Sequence, residues 1–115
     1  MQKIQSEAAF REAVSGEGLT IAVFKADWCK DCHYIEPFMP DVVRQYAGRA
    51  AFVQIDRDEL PDLCAELNIL GIPSFIAFSK GAELIRFVSK LRKSREEIEQ
   101  FVDRAIQVKS ALAGA

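Results

Sequence analysis

Leu19-Thr20-Ile21-Ala22-Val23-Phe24, followed shortly by Trp28-Cys29-Lys30-Asp31-Cys32, is the stretch on which the reading of this chain turns. The uncharged first run reads as a buried strand. The segment after Cys29 reads as the opening of a helix. A strand that feeds a helix beginning at Cys-x-x-Cys sets the first thiol at the helix N-terminus. Unpaired backbone N–H groups point outward there, and the helix dipole favours negative charge. The thiolate is the charged form of cysteine, so such a site makes it more accessible. An accessible thiolate is what disulfide exchange requires.

Working outward, Gln2 to Ile4 is a short edge strand, and Ser6 caps a helix whose apolar stripe is Ala9, Phe10, Ala13 and Val14. Gly16-Glu17-Gly18 ends it before the strand from Leu19 to Lys25. The spacing predicts one long helix from Cys29 to about Tyr46, kinked at Pro37 and disturbed at Pro40. Ala50 to Ile55 is a second buried strand, and Leu60 to Leu67 a helix with Pro61 at a tolerated early position. Gly71-Ile72-Pro73 breaks the chain before a hairpin, Ser74 to Ser79 and Glu83 to Val88, turned at Lys80-Gly81. Ser94 opens a last helix with Glu97 at capping-box spacing. Its apolar face is Ile98, Phe101, Val102, Ala105, Ile106 and Val108, and the small-residue tail Ala111 to Ala115 is expected to fray. Early alternation of strand and helix implies parallel strands with helices on both faces, and the hairpin makes the sheet mixed.

The 115 residues suit a single domain, and half of them are hydrophobic, enough for a core. A net charge of −2 gives no general attraction to nucleic acid or anionic membrane. No apolar run reaches the length of a membrane span. Met1 to Ser6 lacks the apolar region of a secretion signal, so a cytoplasmic location is expected. Three cysteines, an odd number, argue against a purely structural disulfide framework. Structural zinc wants four ligands, and beyond the pair only His33 and Cys64 remain, so no metal site is expected. Cys64, beside Leu63 and Leu67, reads as buried apolar filler.

Together these motifs resemble the thioredoxin family over nearly the whole chain. The resemblance rests on Trp28 before the cysteine pair, Pro37 five residues after Cys32, Gly71-Ile72-Pro73 before a strand, the hairpin and the final helix. It implies an α/β thioredoxin fold: a central mixed sheet of parallel strands plus a C-terminal antiparallel hairpin, with helices on both faces, in a single domain over residues 1–115. It further implies a protein-disulfide reductase in which Cys29 is the exposed nucleophile and Cys32 the resolving thiol. Ile72-Pro73 would be a cis bond facing them, with Ile72, Pro73 and Trp28 as substrate-binding positions, and the Trp28 ring can also shield the thiols. Substrates would be protein disulfides, electrons would come from thioredoxin reductase or a small thiol, no cofactor beyond the dithiol would be needed, and the chain would act as a monomer. A thioredoxin-fold binding or chaperone module with weak or partner-specific redox activity is the alternative.

Departures from the family pattern are equally specific. Lys30-Asp31 stands where the family typically has Gly-Pro. Val23 and Phe52 occupy the positions of the family's buried Asp and its Lys partner, and Ser89 replaces a common Gly. Glu36 lies one helical turn beyond Cys32. An inward turn at Pro37 would bury it, raise its pKa toward neutrality, and let it serve as general base for Cys32 in place of the missing Asp. Tyr34, Phe24, Phe38, Phe52, Phe75 and Phe78 are expected in the core. His33, Lys30, Asp31 and the basic run Lys90 to Lys93 with Arg95 are expected to be solvated.

Overall fold

The computed structural model describes residues 1–113. Its elements in chain order are β1 (Gln2–Ile4), α1 (Glu7–Val14), β2 (Thr20–Lys25), α2 (Lys30–Ile35), α3 (Met39–Gln45), β3 (Ala51–Asp56), α4 (Pro61–Glu66), β4 (Ser74–Ser79), β5 (Ala82–Phe87) and α5 (Arg95–Ala113). The strands form one sheet in the order β1-β3-β2-β4-β5. β1, β3 and β2 run parallel; β4 is antiparallel to β2, and β5 to β4. The mixed sheet expected from the sequence is present.

Alternation along β2 divides the core in two. Ile21 and Val23 join Met39, Val42, Phe52, Phe75, Phe101 and Val102 on the side covered by α3 and α5. Ala22 and Phe24 join Phe10, Val14, Leu63, Ile76 and Phe78 on the side covered by α1 and α4. Burying a side chain of this kind contributes about 1.5–3 kcal/mol, so β2, buried on both faces, anchors the fold. Local signals set the helix starts. The Ala9 N–H donates to Ser6 Oγ at 3.1 Å. At α5 the Glu97 N–H donates to Ser94 Oγ, and the Ser94 N–H to Glu97 Oε1, closing the expected capping box.

Three expectations need correction. The long helix predicted from Cys29 to Tyr46 is two helices separated by Glu36–Phe38, where Pro37 offers no N–H and its ring crowds the preceding turn. Pro40, in the first turn of α3, is harmless there. Tyr34 is not a core residue: it is exposed and meets Phe38 edge-on. The tail does not fray from Ala111, because α5 continues to Ala113; Gly114 and Ala115 lie outside the described residues.

Register explains how the fold makes a site. Phe24 near the end of β2 pairs with Ser74 at the start of β4. The chain leaving β2 toward Cys29 therefore runs beside the chain arriving from Pro73. Two segments more than forty residues apart are held together by the sheet itself.

Candidate active site

Cys29 caps α2 from the extended region, at φ −85° and ψ 111°, and its Sγ accepts the Cys32 N–H at 3.1 Å. The Cys29 N–H donates to the Ala26 carbonyl, which closes the turn out of β2. Cys29 and Cys32 are joined as a disulfide with their Cα atoms 5.2 Å apart. Cys29 keeps 5% of its surface exposed, whereas Cys32 keeps none.

Across from the sulfurs lies the turn entering β4. Ile72–Pro73 is cis, and the Ile72 carbonyl oxygen is 3.7 Å from Cys29 Sγ. The hydroxyl of buried Ser74 donates back to the Gly71 carbonyl, tying this turn to itself. A Cβ on Gly71 would collide with the Ser89 carbonyl. Only glycine lets the turn pack this closely on the loop after β5. The sequence marks Gly71 as a chain breaker, and this close approach is legible only in three dimensions. It also places Ser89 at the rim of the site through its carbonyl.

Trp28 is a rim residue, 63% exposed, with Nε1–H donated to Asp58 Oδ2 at 2.8 Å. Asp31 is not simply solvated. Arg92 Nε donates to Asp31 Oδ1 at 2.9 Å, and the same guanidinium lies 4.4 Å from the centre of the Tyr34 ring. The loop between β5 and α5 is thereby fastened to α2. Lys93, expected in solvent, is almost fully buried. Its ammonium donates to the Ser89 and Leu91 carbonyls and faces the Phe87 ring, and burial pushes its pKa down. A run of basic residues in a sequence does not reveal which one turns inward. A groove of about 440 Å³ runs along this surface, with Trp28, Cys29, Leu70, Gly71 and Ile72 among its lining.

Glu36 does not occupy the environment expected for it. Its side chain is 46% exposed, with Oε1 3.0 Å from His33 Nδ1 and 3.5 Å from Lys25 Nζ. The hydrogen bond with His33 is the main cause holding its carboxyl below the usual range, with Lys25 adding to the shift; the expected rise toward neutrality is reversed. The physical reason is the break at Pro37, which ends α2 at Ile35 and leaves Glu36 as its C-cap beside partners of opposite charge. His33 is shifted up, first through its bond to the Asp27 carbonyl and then through Glu36. Val23 and Phe52 are buried among apolar side chains, so these two positions supply no interior charge pair. Cys64 is buried and free, and desolvation pushes its thiol up, in keeping with apolar filler.

A family model described as thioredoxin matches residues 1–104. The thioredoxin of Equus caballus is 34% identical over 89 residues, covering 76% of this chain and 84% of the relative. That of Ovis aries is 31% identical over 108 residues, covering 92% and 99%. Among solved structures, Plasmodium falciparum thioredoxin superposes with a TM-score of 0.81 at 24% identity, covering 90% of this chain and 98% of that one, a likeness of fold. With a matched family model, relatives aligned along most of their length, and two cysteine sulfurs at disulfide distance in the expected turn, this chain belongs to the thioredoxin family of thiol–disulfide oxidoreductases.

Proposed function

We propose that Cys29 is the attacking thiol and Cys32 the resolving thiol of a protein-disulfide reductase carried by residues 1–115 as one domain. The Cys29 thiolate attacks one sulfur of a substrate disulfide. A Cys29–substrate bond forms, the substrate S–S bond breaks, and the departing thiolate takes a proton. The Cys32 thiolate then attacks Cys29 Sγ, forming the Cys29–Cys32 bond and releasing the second substrate thiolate, which is also protonated. The substrate gains two electrons and two protons, and the protein is left as the disulfide. A reductase or a small thiol returns the electrons, a cycle suited to a reducing compartment such as the cytoplasm. The protein needs no second copy for this chemistry and acts as a monomer.

The observation that carries the assignment is the asymmetry of the pair. Cys29 retains exposure and receives the Cys32 N–H, so its thiolate has a donor in place, while Cys32 is closed off. The Ile72 carbonyl beside Cys29 Sγ supports a backbone contact with an extended substrate, Pro73 holds that turn, and Trp28 supports a shielding wall. Glu36 is assigned an assisting role at most. Held ionised by His33 and Lys25 and turned to solvent, it is a weak base, and Glu36→Gln is expected to leave resolution nearly unchanged.

Dithiothreitol-driven insulin reduction tests the assignment. Cys29→Ser should reduce turnover to background, and Cys32→Ser should accumulate a mixed disulfide through Cys29. Normal turnover by Cys32→Ser would mean a monothiol route and defeat the reading.

A further inference from the structure

The groove beside the cysteines is cationic, although the chain carries a net charge of −2. Lys30, Arg57, Lys90 and Arg92 line it, against the single carboxylate of Asp31. Arg92 is committed to Asp31. Lys30, Arg57 and Lys90 have no ion-pair partner among the described residues. These three come from separate segments: the first turn of α2, the loop after β3, and the loop after β5. Buried Lys93 and the Arg92–Asp31 bond hold the last of these loops, so Lys90 projects from an ordered base. Trp28 and Leu70, exposed at 63% and 67%, give the same groove apolar contact area. Asp58, next to the groove, is engaged by the Trp28 N–H.

We propose that this groove selects disulfides flanked by acidic residues. Carboxylates of an extended peptide meet Lys30, Arg57 and Lys90 while an apolar residue rests on Trp28 or Leu70. The inference rests on the reading of Cys29 and Cys32 as a protein-disulfide reductase and names the substrate class of that site. Complementary charge around a reactive centre acts chiefly on the encounter rate and on partner choice, and it weakens as salt shortens the screening length. A lysine-flanked disulfide presents like charges to the same three side chains and is disfavoured.

The test uses two peptides with the same internal disulfide and the same apolar residue, one flanked by Glu and one by Lys. Neutral 4,4′-dithiodipyridine serves as a charge-free disulfide. Second-order rate constants are measured by stopped flow with the pre-reduced protein. The Glu peptide should react faster by about tenfold or more at low ionic strength, the ratio shrinking to about twofold to threefold in ~0.5 M salt. The combined variant Lys30→Gln, Arg57→Gln, Lys90→Gln should bring the low-salt ratio to the same small value. Equal rates on the two peptides, or a ratio insensitive to salt, overturns acidic selection while normal reduction of dithiodipyridine leaves the dithiol chemistry standing. Failure to reduce dithiodipyridine overturns the dithiol reading itself. The salt dependence of the unmodified protein decides the matter should the triple variant fold poorly.

Discussion

At the Cys29 end of α2, the segment facing the sulfur from outside the helix is held in place by the sheet. Register places the Pro73 turn beside the end of β2, Gly71 lets that turn press on Ser89, and Arg92 ties the next loop to Asp31. At the far end of α2 the interior offers no charge: Val23 and Phe52 are buried among hydrocarbon on the face covered by α3 and α5, and Glu36, the C-cap of α2, faces solvent with Lys25 and His33. The first end carries the groups to which the proposal gives attack and substrate contact. The other keeps its charged groups, Lys25, His33 and Glu36, at the surface. The contrast teaches that the two half-reactions make different demands. Attack needs a sulfur held in a fixed geometry, whereas Cys32 is closed off from solvent and Val23 and Phe52 supply no interior carboxylate for its proton.

The largest way to break this contrast is to restore an interior charge. Val23 is fully buried with no polar partner beside it, so Val23→Asp should cost about 3–5 kcal/mol in urea unfolding at neutral pH. Burial raises the carboxyl pKa, so the folded state holds the proton more tightly than the unfolded state does. The loss of stability should then shrink as pH falls toward the ordinary carboxyl range. Unchanged stability would mean that the interior beside β2 already accommodates charge.

Next in size is the close contact on the Cys29 side. Gly71→Ala forces the Ile72–Pro73 turn away from Ser89 and should cost about 1–3 kcal/mol, with a fall in insulin reduction at temperatures where the protein remains folded. Lys93→Met should cost about 1 kcal/mol. It removes a buried charge but leaves the Ser89 and Leu91 carbonyls without their donor. Thermal unfolding of both variants ranks the two contacts, and a stabilised Lys93→Met would show that desolvation of the ammonium outweighs its hydrogen bonds.

A smaller effect is expected at the rim. The His33 imidazolium should titrate above its ordinary value of 6.5, and Glu36→Gln should lower its midpoint, both read by proton NMR. Glu36, shifted down, contributes stability that is present above its unfolded pKa and is lost as pH falls through the folded value. His33, shifted up, contributes stability that is full below its unfolded pKa and is lost as pH rises through the folded value. The pair therefore helps most in the mildly acidic window between the two, and only slightly, because both side chains are well exposed. A His33 midpoint at or below 6.5 would remove the pair from the account.

Much of this architecture was legible in the residues. Periodicity and caps find the strands, Ser6 and Ser94, and the cysteine turn follows from an apolar run that stops just before Trp28. What escaped was the consequence of chain breaks and close approaches. Helical spacing puts Glu36 one turn beyond Cys32, but Pro37 ends α2 at Ile35 and leaves Glu36 as its C-cap, turned to Lys25 and His33. Tyr34 counts as an apolar residue on a helix, yet it turns outward beneath Arg92. Gly71 owes its role to Ser89 in the loop after β5, a contact between separate segments that leaves no periodic trace, and Lys93 turns inward within that loop, onto the Ser89 and Leu91 carbonyls of an irregular backbone that no periodicity describes.

The proposed mechanism has Cys29, and not Cys32, meet the substrate. Its most direct test is brief alkylation of the reduced protein with limiting iodoacetamide at neutral pH, followed by peptide mass spectrometry. The first equivalent should label Cys29, the sulfur with residual exposure and a backbone N–H in place. First-equivalent labelling on Cys32 would contradict it.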